Sequence, residues 1–185
     1  MAVVQETAGG DLESRIRSAI RDVPDFPKPG ILFKDITPLL ADAALFRATS
    51  EAMAQPFAGE RVSHVVAIES RGFILGAPVA QRLGAGFIPV RKAGKLPAKT
   101  EVEEYALEYG TDRLEIHADA CDWPRRPRVL IVDDVLATGG TADATRRLVE
   151  RLGGHVVGFS FLIALSFLPG LERLRRGSVR TLITY

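Results

Sequence analysis

The chain has 185 residues, of which 46% are hydrophobic and 25% are charged, and its formal net charge is +1. These values are typical of one globular domain with a sizeable core, and the near-neutral charge favours neither nucleic acid nor a membrane as partner. A single cysteine, Cys121, excludes a disulfide within the chain and fits a reducing compartment. We find no signal-like or membrane-spanning run, so we predict a cytoplasmic protein.

The first part of the chain is predicted to hold a disordered stretch, a helix and a stiff loop. Residues 1–10 carry no structural pattern and are predicted to be disordered, whereas Asp11 can cap an amphipathic helix. In residues 26–38, Pro27 and Pro29 fix φ and make a stiff loop that can present backbone groups to a ligand. An arm packed on the core through its phenylalanines is a second interpretation, and both can hold at once.

From residue 42 onward, short apolar runs alternate with helical patterns. This alternation predicts an α/β fold with a doubly wound, mostly parallel sheet flanked by helices. Ligands of such sheets bind at the carboxyl ends of the strands, where the loops at 69–72, 91–95 and 133–141 are expected. The predicted elements are helices at 42–57, 74–83, 142–152 and 169–177, strands at 65–68, 87–90 and 129–132, a central strand at 155–165 and an edge strand at 179–185.

Residues 96–117 interrupt this alternation. The segment is charged, carries two runs with strand-like composition and has a turn at Gly110-Thr111-Asp112, which together predict a hairpin. A long polar insertion at the ligand edge of a sheet is typical of a lid over a site. We therefore predict a flexible hairpin lid.

The most informative segment runs from Arg128 to Thr141, in the order strand, acidic pair, small-residue loop, helix. The loop's backbone N–H groups and hydroxyls suit a monophosphate, and it matches neither the lysine-containing Walker loop nor the dinucleotide glycine pattern. Asp133 and Asp134 would accept hydrogen bonds from sugar hydroxyls. Together these features predict a site for a ribose 5-phosphate, although a strand, two turn caps and a tight corner without function would give a similar pattern. The predicted phosphate-binding residues are Ala137, Thr138, Gly139, Gly140 and Thr141.

The run from Val129 to Thr141 resembles the signature of the type I phosphoribosyltransferases, which bind 5-phosphoribosyl 1-pyrophosphate. The resemblance implies the fold of that family in a single domain spanning residues 1–185, with Ser70 and Arg71 in a pyrophosphate loop. In this family that loop often has a non-proline cis peptide, here expected between Glu69 and Ser70. Further cations expected at the pyrophosphate are Arg91, Lys92 and Lys95, although basic residues can also simply solvate a sheet edge.

Two other segments resemble the adenine-specific members of this family. Residues 26–38 resemble the hood that wraps the base, which places the backbone of Leu32 against adenine and puts Lys34 where the family commonly has arginine. In the lid, the resemblance gives Glu108 an acid/base role and places Tyr109 at the substrate; without it, Glu108 would be taken for a solvated strand residue. It also implies Mg²⁺ bound through the substrate rather than directly by the protein, and a homodimer in which Arg91 is a candidate for reaching the neighbouring site.

The reaction expected from the resemblance is purine salvage, in which adenine and 5-phosphoribosyl 1-pyrophosphate give AMP and pyrophosphate. One alternative is an enzyme of the same family that uses hypoxanthine, xanthine or guanine. A second is a non-catalytic regulator that senses the phosphoribosyl ligand. Such a regulator usually needs a nucleic-acid-binding part or a basic face, which a chain of net charge +1 does not offer.

Overall fold

Apolar strands and amphipathic helices alternate along most of the protein, as its sequence pattern predicts. The computed structural model describes residues 5–6, 10–106, 111–122, 126–175 and 177–185. The strands are β1 (Gln5–Glu6), β2 (Arg21–Val23), β3 (Phe33–Asp35), β4 (His64–Ile68), β5 (Gly86–Lys92), β6 (Thr100–Ala106), β7 (Thr111–His117), β8 (Arg128–Leu136), β9 (His155–Ala164) and β10 (Val179–Thr184). The helices are α1 (Gly10–Ala19), α2 (Thr37–Ala41), α3 (Ala43–Ala54), α4 (Arg71–Leu83), α5 (Gly140–Arg151) and α6 (Gly170–Arg173), with a 3₁₀ turn at Gln55–Phe57.

The main sheet has eight strands in the order β1-β10-β9-β8-β4-β5-β7-β6. The first six in this order run parallel, and the hairpin strands β7 and β6 add an antiparallel edge. Strands β4 and β8 form the middle, and both are buried on their two faces, which explains their continuous apolar runs rich in β-branched residues. The predicted doubly wound, mostly parallel α/β architecture is confirmed.

Two hydrophobic cores lie on opposite faces of the sheet. Adjacent residues of β4 point to opposite faces, so Val65 belongs to one core and Val66 to the other. The first core is covered by α1, α3 and α4, and the second by α5, α6 and the hairpin. None of the helices in the described part of the chain has the length and apolar character needed to cross a membrane.

The structure corrects the predicted end of the acidic-pair strand. β8 continues to Leu136, so Asp133 and Asp134 lie within the strand rather than after it. Pairing with β9 maintains the extended backbone, since Asp133 is opposite Phe161 and Val135 is opposite Ile163. Cross-strand pairing thus outweighs the low strand propensity of aspartate.

Several other boundaries also differ from the sequence prediction. Arg91 and Lys92 belong to β5 rather than to the loop after it, and α4 begins at Arg71 instead of residue 74. β10 is not an edge strand, because Gln5–Glu6 forms β1 alongside it. These two residues are therefore ordered where the sequence predicted disorder.

The predicted hood and lid both fold around short antiparallel pairs. β2 pairs with β3 in a separate two-stranded sheet, where Asp22 is opposite Lys34. In the hairpin, β6 pairs with β7 along its whole length, from Thr100 opposite His117 to Ala106 opposite Thr111. The hairpin is therefore confirmed, whereas its action as a lid stays a prediction.

Candidate active site

A cavity of about 460 Å³ lies at the carboxyl ends of the central strands. The ends of β4, β5 and β8 meet there with the hood and the hairpin, so the loops that the sequence assigned to this edge do converge. A smaller cavity of about 70 Å³ lies beside it, against the loop after β8. The predicted site residues that line the larger cavity are Leu32, Lys34, Ser70, Arg71, Lys92, Asp133, Asp134, Ala137 and Thr141, and Thr138 and Gly139 line the smaller one.

The loop between β8 and α5 has the conformation expected for binding an anion at a helix start. Gly139 has φ of 74° and precedes the first residue of α5, a left-handed conformation that favours glycine. Behind the loop, Gly170 of α6 packs directly against the backbone carbonyl of Ala137, and a Cβ on Gly139 would lie 3.0 Å from the Gly170 carbonyl oxygen. Gly140 is buried as the first residue of α5 and is not among the lining residues of either cavity.

The acidic pair and Arg71 form one connected group at the floor of the larger cavity. The Arg71 Nε lies 2.8 Å from Asp134 Oδ2, and the Asp134 backbone N–H donates to Asp133 Oδ1 at 2.9 Å. Burial raises the pKa of both carboxyl groups; the charge of Asp134 raises that of Asp133 further, and Arg71 opposes the rise at Asp134. Burial and the short distance between the two carboxyl groups therefore disfavour the ionisation of both at once.

Glu69 binds the basic residues at the end of β5 and just after it, beside the loop predicted to bind pyrophosphate. Its carboxylate accepts hydrogen bonds from the Lys95 ammonium at 2.7 Å, the Lys92 backbone N–H at 3.1 Å and the Arg91 Nε at 3.3 Å. The Lys95 hydrogen bond, helped by those from Lys92 and Arg91, lowers the pKa of Glu69 to about 2. The peptide bond between Glu69 and Ser70 is cis, as predicted. Arg91 and Lys95 are thus held by Glu69 and are not among the residues that line the cavity.

The base side of the cavity is formed by Leu32, Phe33 and Lys34 together with Leu165. The ring of Phe33 lies 4.7 Å below the Arg71 guanidinium carbon. The ammonium of Lys34 lies 2.7 Å from Asp22 Oδ1 and 3.8 Å from the centre of the Tyr185 ring. Lys34 therefore lines the cavity, while its ammonium is paired with Asp22 and the Tyr185 ring.

Sequence reasoning missed Tyr105, which lines the cavity from the hairpin. Its hydroxyl donates to Asp112 Oδ2 at 3.3 Å, and burial raises its pKa. In the sequence, only its position directly before the lid motif marks Tyr105 as a site residue, because an aromatic residue in a strand usually packs in the hydrophobic core. Other unforeseen lining residues are Ile31, Ile68, Glu69, Leu114 and Leu165.

Glu108 and Tyr109, which the sequence assigned to the reacting centre, lie outside the described residues. The hairpin strands on either side of them both reach the cavity, since Tyr105 of β6 and Leu114 of β7 line it. In the part of the chain that the structure describes, no three or more His, Cys, Asp or Glu side chains are grouped so that they could hold a metal ion.

Residues 36–166 match the family model described as "Phosphoribosyl transferase domain". The chain is similar to an adenine phosphoribosyltransferase of Myxococcus xanthus, with 57% identity over 184 residues that cover 100% of this chain and 97% of the relative. It also resembles the crystal structure of adenine phosphoribosyltransferase from Rhodothermus marinus, with 54% identity, a TM-score of 0.90 and coverage of 96% and 100% of the two chains.

A third similar structure is the adenine phosphoribosyltransferase of Saccharomyces cerevisiae, solved in complex with an imino-altritol bisphosphate and adenine. It has 37% identity, a TM-score of 0.88 and coverage of 95% of this chain and 100% of that chain. The matching domain covers well over half of the chain, and the identities extend over nearly all of it. The chain therefore belongs to the phosphoribosyltransferase family, among the adenine phosphoribosyltransferases.

Proposed function

We propose that this protein transfers the phosphoribosyl group of 5-phosphoribosyl 1-pyrophosphate to adenine, giving AMP and pyrophosphate. The observation that carries this function is the meeting of three parts around one cavity: the glycine-threonine loop after β8, the acidic pair of β8 and the hood. Each part matches one portion of the substrates. The adenine in the yeast relative's complex, at 37% identity, supports the choice of base.

The loop from Thr138 to Thr141 would hold the 5-phosphate through its backbone N–H groups and hydroxyls, since Thr138, Gly139 and Thr141 line the smaller cavity. Asp133 and Asp134 at the adjoining floor would accept hydrogen bonds from the ribose hydroxyls. Positive charge develops on the ribose as its bond to pyrophosphate breaks, and two partly desolvated carboxylates favour that charge. Arg71 would then have two roles. It pairs with Asp134, and it would face the leaving pyrophosphate.

We propose Mg²⁺ as the cofactor, carried by oxygens of the substrate rather than by an all-protein cage. The residues present fit this arrangement, because the Asp133 and Asp134 carboxylates are the hard oxygen groups that Mg²⁺ accepts and they line the same cavity as Ser70 and Arg71. When bound, the ion would neutralise charge on the pyrophosphate leaving group. Ser70, Arg71 and Lys92 would donate to the remaining pyrophosphate oxygens.

The hood gives the choice of base. The backbone N–H and C=O of Leu32 would donate to a ring nitrogen of adenine and accept from its amino group, a pattern that hypoxanthine and guanine reverse. A site that leaves two buried groups unpaired can reject the wrong analogue by roughly 10⁴-fold or more. Phe33 lies in the same wall and offers an aromatic surface for stacking.

We further propose that Glu108 moves the purine ring proton as the base nitrogen attacks the ribose. The support is its place between two hairpin strands that both reach the cavity wall through Tyr105 and Leu114. General acid–base help contributes roughly 10²–10⁴-fold. Glu108→Gln is therefore expected to lower kcat within that range while the KM values change little, and a wild-type kcat would rule out the role.

A homodimer is part of the same proposal. Ile74 and Phe87 are 43% and 39% exposed, and Phe87 packs edge-on against Phe73 with ring centres 5.9 Å apart. An apolar patch of this kind is typical of an interface, and Arg91 follows Phe87 along the same strand. Phe87→Glu is expected to give a monomer in sedimentation velocity, and an unchanged mass for this variant would exclude this surface.

A cytoplasmic location is supported by the free thiol of Cys121.

The deciding experiment is to incubate the protein with Mg²⁺, 5-phosphoribosyl 1-pyrophosphate and each of adenine, hypoxanthine, guanine and xanthine, and to measure nucleotide by chromatography. We expect AMP from adenine and at most traces of the other nucleotides. Nucleotide from another base would select that alternative enzyme. Binding of the phosphoribosyl substrate without any nucleotide would instead support the regulator.

A further inference from the structure

Tyr185 joins the hood to the main sheet. On the sheet side, its backbone N–H donates to the Ala164 carbonyl at 2.9 Å, and its own carbonyl accepts from the Ser166 N–H at 2.8 Å and the Ser166 hydroxyl at 2.7 Å. Leu165, between these two partners, lines the larger cavity. The backbone of Tyr185 is therefore fixed to the segment on both sides of Leu165, which contributes to the cavity wall.

The ring of Tyr185 makes the second half of the connection. The Lys34 ammonium lies 3.8 Å from its centre, within the range of a cation–π interaction. The same ammonium pairs with Asp22 at 2.7 Å, and the Lys34 side chain is only 10% exposed. Arg17 also lies over the ring, at 5.1 Å, and donates to the Thr184 carbonyl at 2.9 Å.

These contacts decide what Lys34 can do at the base. Lys34 lines the cavity next to Phe33, but its ammonium is paired with Asp22 and lies over the Tyr185 ring. We infer that Lys34 and Tyr185 are positioning residues for the purine base: their contact fixes β3, and with it Leu32 and Phe33, at the distance from Leu165 that the base requires. This inference rests on the proposed function, and it adds a residue, Tyr185, that is not among the residues lining the cavity.

The test compares three variants by steady-state kinetics with adenine and 5-phosphoribosyl 1-pyrophosphate varied separately. Tyr185→Leu removes the aromatic face, Lys34→Met keeps the apolar stem without its charge, and Tyr185→Phe retains the face as the matched control. We expect Tyr185→Leu and Lys34→Met each to raise the KM for adenine about fivefold to tenfold, the effect of losing one partly desolvated cation–π contact. The KM for the phosphoribosyl substrate should stay within about twofold in all three, and Tyr185→Phe should behave as wild type.

The double variant gives the sharpest result. If the two side chains act through one contact, Tyr185→Leu with Lys34→Met should raise the KM for adenine no more than either change alone. Multiplied effects would overturn the inference, and so would a lower melting temperature with an unchanged KM for adenine, which would make Tyr185 only a structural residue. If Lys34→Met alone raises the KM, its ammonium contacts the base directly and the inference is wrong. Failure of the proposed function is distinguishable, because the wild-type protein would then make no AMP.

Discussion

The hairpin over the active site is attached to α5 through Glu103, and this attachment can be weakened by one substitution. Glu103 accepts hydrogen bonds from Arg147 Nε at 2.6 Å and from the Arg151 guanidinium. Its side chain is 14% exposed, whereas the two arginines are 38% and 45% exposed. α5 begins at the loop proposed to bind the 5-phosphate, so these ion pairs connect the hairpin to the helix that follows this loop.

The magnitude of the effect follows from this exposure. A fully buried ion pair that loses one partner costs roughly 3–5 kcal/mol and an exposed pair contributes about 0.2–1 kcal/mol. Water screens the two arginines, so we expect Glu103→Gln to weaken hairpin docking by about 1–2 kcal/mol, a factor of roughly 5–30 in its equilibrium constant. Glu104→Gln is the matched control, because Glu104 pairs with Arg113 while both side chains are more than half exposed; its effect should stay below about 0.5 kcal/mol.

Hydrogen exchange of the β6 amides measures this docking directly. Protection in Glu103→Gln should fall roughly 5- to 30-fold relative to wild type, with kcat/KM falling by no more than that factor, while Glu104→Gln should match wild type. Equal protection in the two variants would refute the reasoning. Burial alone would raise the pKa of Glu103, but the hydrogen bonds and charges of Arg147 and Arg151 outweigh it and lower that pKa. The attachment should therefore be complete above the ordinary glutamate pKa and be lost as pH falls below it.

Three further predictions concern the floor and rim of the cavity. Gly72→Ala places a Cβ 2.8 Å from Asp133 Oδ1, so it should destabilise the protein by about 1–3 kcal/mol in urea unfolding. Gly59→Ala is the control and should have little effect, because no atom lies within 4 Å of its added Cβ. The pKa of Glu69 is lowered from 4.5 to about 2, so its contribution to the free energy of unfolding is present above pH 4.5 and declines toward pH 2. In urea unfolding, the difference in stability between wild type and Glu69→Gln should therefore shrink as pH falls from 4.5 to 2. A constant difference would contradict this prediction. Burial and the charge of Asp134 raise the pKa of Asp133, so the ionisation of Asp133 destabilises the folded protein as pH rises. Asp133→Asn should be nearly inactive, and in urea unfolding at pH 8 it should be more stable than wild type by about 1–3 kcal/mol because it removes a desolvated charge. A lower stability of this variant would contradict the raised pKa.

The sequence predicted best those elements whose residues are buried on both faces. β4 and the first half of β8 contain continuous apolar runs rich in β-branched residues, a composition typical of strands buried on both faces. The end of β8 could not be predicted, because two adjacent aspartates resemble a strand terminus and only their pairing with β9 shows otherwise. β1 has two residues, too few for any periodicity, and so the position of β10 inside the sheet was not visible either.

At the site, residue types were predictable but their partners were not. The motif after β8 indicated a phosphate loop, and the loops at 69–72 and 133–141 do reach one cavity. The sequence could not show that Glu69 would bind Arg91 and Lys95, because such pairing depends on where β5 ends relative to β4. Likewise, the sequence could not show that the Lys34 ammonium lies over the ring of Tyr185, because the two residues are far apart along the chain.

The contact between Gly170 and the carbonyl of Ala137 limits how the loop that is proposed to bind the 5-phosphate can be redesigned. Backbone packs against backbone there, and the side chains of Leu136 and Arg173 lie close by, so neither Gly139 nor Gly170 has room for a larger residue. A redesign for a sugar with a different tail would therefore have to change the front of the loop, at Thr138 and Thr141, and keep both glycines.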